Sequence, residues 1–225
     1  MCDTYRENQS RRERDALLPV LSKKMSHIIG ITGGIASGKS TVVKMIREAG
    51  YQVIDADKLV HDLQKKGGRL YQALIAHFGS SILDERGELD RPKLARIIFA
   101  NSENLALSSQ LQDSIIREEL AKARDSLEER EQVFFMDIPL LIEGGYVDWF
   151  DSIWLVYVDE TTQLARLKKR NHYTDEEAHK RLESQMSLAK KKAYADVVIN
   201  NNGSEKALKK QVDILLAQLA LDKSC

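Results

Sequence analysis

Short apolar runs recur along the chain at Ile28–Ile31, Tyr51–Ile54, Val133–Met136, Ser152–Val158 and Val197–Ile199, each closed by polar residues or glycine. Runs of this length with little alternation read as strands buried on both faces. Between the first two, Val42, Val43 and Ile46 repeat at helical spacing until Gly50, a helix stop. Strand, helix and strand within about thirty residues form a βαβ unit, which joins parallel strands. Near the end of the chain, Leu208, Val212, Leu215, Leu216 and Leu219 mark one apolar helix face. Trp154, in the middle of a strand run, is expected in the core. The pattern predicts an α/β fold, a three-layer α/β/α arrangement around a parallel five-stranded sheet.

The alternation breaks twice. Over residues 69–130, Tyr71, Leu74, Ile75 and Phe78 suggest a short amphipathic helix. Gly87–Pro92 reads as a turn into a helix over Lys93–Phe99. Leu105, Leu111, Ile115, Ile116 and Leu120 mark a longer helix. The expectation is an all-helical insertion over residues 67–131. The second break is polar: Arg166, Lys168, Lys169, Arg170, Lys180, Arg181 and Lys190–Lys192 concentrate positive charge in 162–194. Asn171–Thr174 interrupts that stretch, and Thr174 with Glu177 forms a capping box for a second helix.

Chemistry enters between the first strand and first helix. Gly33, Gly34, Ile35, Ala36, Ser37, Gly38, Lys39, Ser40 and Thr41 fit the spacing G-x-x-x-x-G-K-[ST] in the strand–helix context which that motif requires. A polyphosphate needs backbone N–H groups packed around it, so side chains must be missing at the tightest points. A helix N-terminus adds donors and partial positive charge. Lys39 can reach β- and γ-phosphates, and the Ser40 hydroxyl can take a position on Mg²⁺. The fold expectation sharpens to a P-loop NTPase core at 26–66, 132–161 and 195–221. The basic stretch then has two readings, a solvated helix face or a lid closing over phosphates. His172, in its turn, is expected to be exposed.

Two acidic signals lie at strand ends, where ligands of parallel sheets bind. Asp55 and Asp57 point to opposite sides if the chain is still extended there, so one faces the cleft; capping the next helix is the other reading for either. Asp137 closes an apolar strand, as a Mg²⁺-holding Asp does in P-loop proteins, or else caps a turn.

Composition narrows the partners. Lys+Arg and Asp+Glu are both 34, so overall charge says nothing about nucleic acid and any basic site must be local; no nucleic-acid partner is expected. Cys2 and Cys225 form no metal-type cluster, no apolar run reaches membrane length, and the first residues lack a signal-peptide core. A cytoplasmic protein with no membrane partner is expected, with a monomer favoured. Residues 1–25 read as a flexible extension, with Met25 as an alternative start and 1–24 dispensable.

Taken in order, several segments resemble the dephospho-CoA kinase family. They are the phosphate loop, Asp55-Ala-Asp57, His77-Phe-Gly79, Gly87–Arg91 with Leu94–Phe99, Pro139–Leu141 with Glu143, Arg170 with Arg181 and Gln185, and Ala195-Asp196 leading to Asn201-Asn-Gly203. The resemblance covers about residues 27 to 220. It implies a P-loop kinase with ATP and dephospho-CoA as substrates and Mg²⁺ as cofactor, phosphorylating the 3′-hydroxyl of the acceptor's ribose. It implies Asp57 as catalytic base, Arg170 as the lid arginine with Arg181 as second candidate, the helical insertion as acceptor site, and Asn202 and Gly203 near the adenine. Asp113-Ser114 stand where relatives often carry His-Pro, and Asn200 where Asp is usual. A kinase of another small acceptor, such as a nucleoside or nucleoside monophosphate, is the alternative, and a nucleotide-binding switch a further one.

Overall fold

The computed structural model describes residues 26–222; the tail through Met25, its proposed start and both cysteines lie outside the described residues. Five parallel strands lie in the order β2-β3-β1-β4-β5, with β1 at His27–Gly33, β2 at Val53–Asp55, β3 at Val133–Asp137, β4 at Ser152–Tyr157 and β5 at Val197–Asn200. The register sets Ile31 beside Asp137 and Gly33 beside Val156, so β1 runs two residues past the end of β3, nearly level with β4, and delivers the phosphate loop to the middle of the upper edge.

Both faces of the sheet are covered. Ile29, Ile31, Phe135, Trp154 and Val156 pack under α1 (Lys39–Glu48), through Val42, Val43 and Ile46. The same cluster takes Leu208, Val212 and Leu216 from α9 (Glu205–Asp222), with Leu215 and Leu219 beside it. On the opposite face lie Ile28, Phe134, Met136 and Ile153. Neighbouring residues such as Phe134 and Phe135 serve opposite faces because strand side chains alternate. Gly50, at φ 91°, supplies the left-handed turn that ends α1 and turns the chain into β2. Two carboxylates fasten strand entries: Asp151 accepts from the Ile28 amide and Asp196 from the Ile153 amide, each at 2.7 Å.

Helices α2 (Ala56–Leu63), α3 (Arg69–Phe78), α4 (Arg91–Ile98) and α5 (Ser102–Glu128) follow β2. The insertion has its own small core of Leu74, Ile82 and Leu94, with Phe78, Ile97, Ile98 and Leu111 against it. It is not entirely helical: Leu83 and Leu89 form an antiparallel bridge around a tight turn. There the Asp84 carboxylate accepts from the Arg86 and Glu88 amides, both at 2.9 Å, and Gly87 sits at φ 75°. Backbone bonds close the same turn, from the Asp84 amide to the Glu88 carbonyl at 2.9 Å and from the Gly87 amide to the Asp84 carbonyl at 3.0 Å, and helical periodicity carries no sign of such a bridge. Helix α5 is shared. Its first half contributes Leu111 to the insertion, while Ile116, Leu120 and Leu127 pack on the sheet.

Past β4 come α6 (Glu160–Asn171), α7 (Asp175–Glu183) and the short α8 (Leu188–Lys191). The Thr174–Glu177 capping box opens α7. His172 is exposed at φ 56° and ends α6. Leu188 packs with Leu155 and Val158, so the end of the 162–194 stretch is attached to the sheet.

Phe135, wholly buried between Tyr51 and Trp154 in edge-to-face contacts, is the centre of the main core. Phe135→Ala should cost about 3–5 kcal/mol. Ile214→Ala, at a half-exposed position on α9, should stay within about 0.5 kcal/mol. Urea denaturation midpoints at constant slope compare the two.

Candidate active site

The loop between β1 and α1 opens as a cavity of about 630 Å³. Gly33 to Thr41 form one wall, and Asp57, Pro139, Arg166, Arg170, Gln185, Asn201, Gly203, Glu205 and Leu208 the rest. The N-terminus of α1 has Gly38 as its cap, at φ 87°, with no side chain satisfying the first turn. That leaves the helix end available to an anion. Ala36 is also left-handed, at φ 59°, a conformation uncommon for a residue with a Cβ.

The glycines are fixed by neighbours behind the loop. A Cβ on Gly38 would stand 2.1 Å from Asn201 Nδ2, and one on Gly34 2.6 Å from Gln163 Nε2. Both amides are in use. Asn201 Nδ2 donates to the Ser37 carbonyl at 2.8 Å, and Gln163 Nε2 to the Ile35 carbonyl at 2.7 Å. Gln185 accepts from the Ile35 amide at 3.2 Å. The tip of the loop is therefore held on both sides of one peptide residue by side chains from either end of the α6–α7 hairpin. Ser37 Oγ, buried with no partner of its own, is an orphaned polar atom in this loop, as a site shaped for a polar ligand would leave.

Lys39 Nζ forms an ion pair with Asp137 Oδ1 at the end of β3. Burial pushes the Asp137 carboxyl above its ordinary value, and this outweighs the downward pull of Lys39; the charges of Asp55 and Asp57 push the same way. The pair alone would suggest a depressed carboxyl. Burial prevails because Asp137 keeps little contact with water, which disfavours its charged form more than the pairing with Lys39 favours it.

The two strand-end readings for Asp55 and Asp57 separate cleanly. The chain is no longer extended after Asp55. Its carboxylate caps α2 by accepting from the Lys58 amide at 2.9 Å, and meets Arg47 at 3.4 Å. Asp57 falls in the first turn of α2 and faces the cavity. Arg170 lies on the wall, and Arg166 joins it while donating to the Asn201 carbonyl at 2.8 Å. Arg181, on α7, is not on the wall. Nor is Asn202, whose Oδ1 accepts from the Asp159 amide while Gly203 beside it does line the cavity. Gln163 gave no sign in the sequence, Arg166 was one of a basic run, and of the quoted turn Asn201–Gly203 it is Asn201 and Gly203, not Asn202, that line the cavity.

No group of three or more His, Cys, Asp or Glu suited to a metal occurs among the described residues. The donors present at the loop, Ser40 hydroxyl with Asp137 nearby, fit a Mg²⁺ that takes most ligands from phosphates and water. Among the described residues no helix is long and apolar enough to cross a membrane.

Comparison with known proteins agrees with this geometry. The sequence pattern of the dephospho-CoA kinase family matches residues 27–207. The dephospho-CoA kinase of Streptococcus mutans is 60% identical over 195 residues, 87% of this chain and 98% of that protein. Among solved structures, the dephospho-CoA kinase of Campylobacter jejuni superposes with a TM-score of 0.71 at 25% identity, over 88% of this chain and all of that one. A Thermus thermophilus protein superposes at 0.72 with 31% identity, over 87% and 98%.

The raised carboxyl of Asp137 has a sign that can be measured. A group whose folded pKa lies above its unfolded value favours folding at low pH and loses that contribution as pH rises through the folded pKa. Asp137→Asn should therefore melt higher than the parent at pH 7 without nucleotide. The advantage should fade as pH falls to about 4, where the unfolded carboxyl also takes up its proton. Thermal melts across that range test it.

Proposed function

Because the chain belongs to the dephospho-CoA kinase family, we propose how its residues divide the work of phosphorylating dephospho-CoA to coenzyme A. The observation that carries this reading is Asp57 lining the same cavity as the phosphate loop, with its capping neighbour Asp55 engaged by the Lys58 amide. ATP binds with its phosphates along 33–41. Phosphoryl transfer needs positioning and charge stabilisation more than covalent help from the protein. The uncapped helix end and loop amides hold the chain of phosphates, and Lys39 leaves Asp137 to neutralise charge at the β–γ bridge. Ser40, with Asp137 as a further candidate, would hold Mg²⁺, which would supply further charge neutralisation. Asp57 accepts the proton of the acceptor's ribose 3′-hydroxyl, or orients that hydroxyl.

Arg170 and Arg166 face the γ-phosphoryl oxygens and exclude water as the lid closes. Arg181 starts outside the cavity wall and joins them with closure of α7. Gly203 and the Asn201–Asn202 turn border the adenine. The insertion, 67–131, with its separate core, takes the acceptor. A nucleoside or nucleoside monophosphate as acceptor is the weaker reading, since the identity to dephospho-CoA kinases runs through the insertion as well as the loop.

In a coupled assay of ADP release, Asp57→Asn should lower kcat by about 10²–10⁴ and leave the KM for ATP within about threefold. Near-parental turnover would remove Asp57 from the base role. Lys39→Ala should lower kcat/KM by about 3–4 kcal/mol of transition-state stabilisation. A panel of acceptors in the same assay should show dephospho-CoA strongly preferred.

A further inference from the structure

Of the basic residues in 162–194, Lys191 alone is buried; its side chain has no exposure at all. An ammonium has three protons to place, and three oxygens meet it. Glu143 Oε1 lies at 3.0 Å, the Gly33 carbonyl at 3.4 Å and the Pro139 carbonyl at 3.5 Å. They come from separate parts of the chain. Gly33 ends β1 and is the first glycine of the phosphate loop. Pro139 and Glu143 stand on the segment leaving β3, just past Asp137. Glu143 Oε1 also accepts from the Met186 amide at 3.1 Å, which brings the exit of the α6–α7 hairpin to the same point. The Pro139 carbonyl takes a second donor, the buried Thr32 hydroxyl, at 3.1 Å.

A fold that needed only to fill this space would do as well with an apolar side chain, since burying an ion pair seldom adds net stability. What a three-proton cation adds is a fixed relation among three loops. Two of those segments adjoin Lys39 and Asp137, and the third begins where the α6–α7 hairpin ends, whose first helix bears Arg166 and Arg170.

Resting on the kinase reading above, we infer that Lys191 is a positioning residue for phosphoryl transfer, whose buried ammonium locks the phosphate loop, the segment after β3 and the root of the lid into one node. Lys191 touches no substrate. It acts by holding Gly33 and Pro139, and so the Lys39–Asp137 pair, in register with the lid arginines. The same contacts divide the 162–194 stretch: residues 185–191 stay with the core, and closure is confined to the hairpin between Gln163 and Gln185.

The test uses the full chain with Lys191→Met, Glu143→Gln and the double variant. Three quantities are read: hydrogen exchange at the amides of 33–38 without ligands, the fraction of molecules that bind ADP, and kcat and KM for ATP per ADP-binding molecule. Lys191→Met should speed exchange across 33–38 by about tenfold or more. It should lower kcat per competent molecule by about 10- to 100-fold, the scale of a loop displaced by about an ångström. The double variant should fall within about twofold of Lys191→Met, because both substitutions break one node. A lower melting temperature with unchanged kcat per competent molecule and unchanged exchange at 33–38 would mean that Lys191 only supports the fold, and would overturn the inference. Should Lys191→Met fail to fold, Glu143→Gln decides. It keeps an oxygen for Lys191 and Met186, and should show a smaller fall in kcat, about three- to tenfold, with faster exchange confined to 33–38 and 185–191. Parental values of both would equally overturn it. A parent enzyme inactive on dephospho-CoA would count against the functional reading alone; the exchange pattern, taken without acceptor, would still decide the role of Lys191.

Discussion

A loop that wraps polyphosphate must offer backbone amides, and to do so it gives up the side chains that would otherwise hold its shape. Gly33, Gly34 and Gly38 leave this segment with little to pack, and Ala36 takes a left-handed conformation besides. Its form has to be imposed from outside. Gln163, Gln185 and Asn201 do this with hydrogen bonds to the loop's own peptide groups, and Lys191 with an ammonium beneath Gly33. Glycine at these points is thus required twice: a ligand approaches from one side, and a Cβ at Gly34 or Gly38 would strike an amide nitrogen on the other.

The lysine on the cavity wall and the aspartate behind it show the cost of such a site. Asp137 is buried where ionisation is disfavoured, with Lys39 against it and two more carboxylates near enough to add to the strain. Burial of that kind stores no stability. It keeps a cation and an anion poised beside the loop, and a bound triphosphate would recruit the first and free the second. The pull between fold and function is local, because the core below, around Phe135 and Trp154, is apolar and fully packed.

The layering, the strand positions and the phosphate loop were legible because each rests on a period or a fixed spacing. Val42, Val43 and Ile46 faced the core as their spacing implies, and Trp154 proved a core residue. What could not be read depended on contacts between distant segments. Asp55 and Asp57 look alike in sequence, and only the onset of α2 at Ala56 makes one a cap and turns the other toward the cavity. Lys191 sits between Lys190 and Lys192, and nothing in the triplet reveals that its middle member is buried, whereas Lys192 lies over the ring of Tyr157. Arg166 and Arg181 likewise differ only in where α6 and α7 point them. The tight turn at Asp84 is closed by that carboxylate and by backbone bonds between Asp84, Gly87 and Glu88, which no hydrophobic pattern records.

The segment after β3 is where these threads meet. On its inner side Lys191 holds Pro139 and Glu143. On its outer side Arg117, from α5, donates to the Gly144 carbonyl at 2.6 Å and lies over the rings of Tyr146 and Trp149. Helix α5, about 40 Å long by its 27 residues, is also the element whose far half builds the insertion's core. A short stretch of chain beyond Asp137 is therefore clamped between the helix shared with the insertion and the segment that leaves the α6–α7 hairpin. If the insertion takes the acceptor and the hairpin covers the phosphates, as proposed, their supports meet at the strand end that carries Asp137.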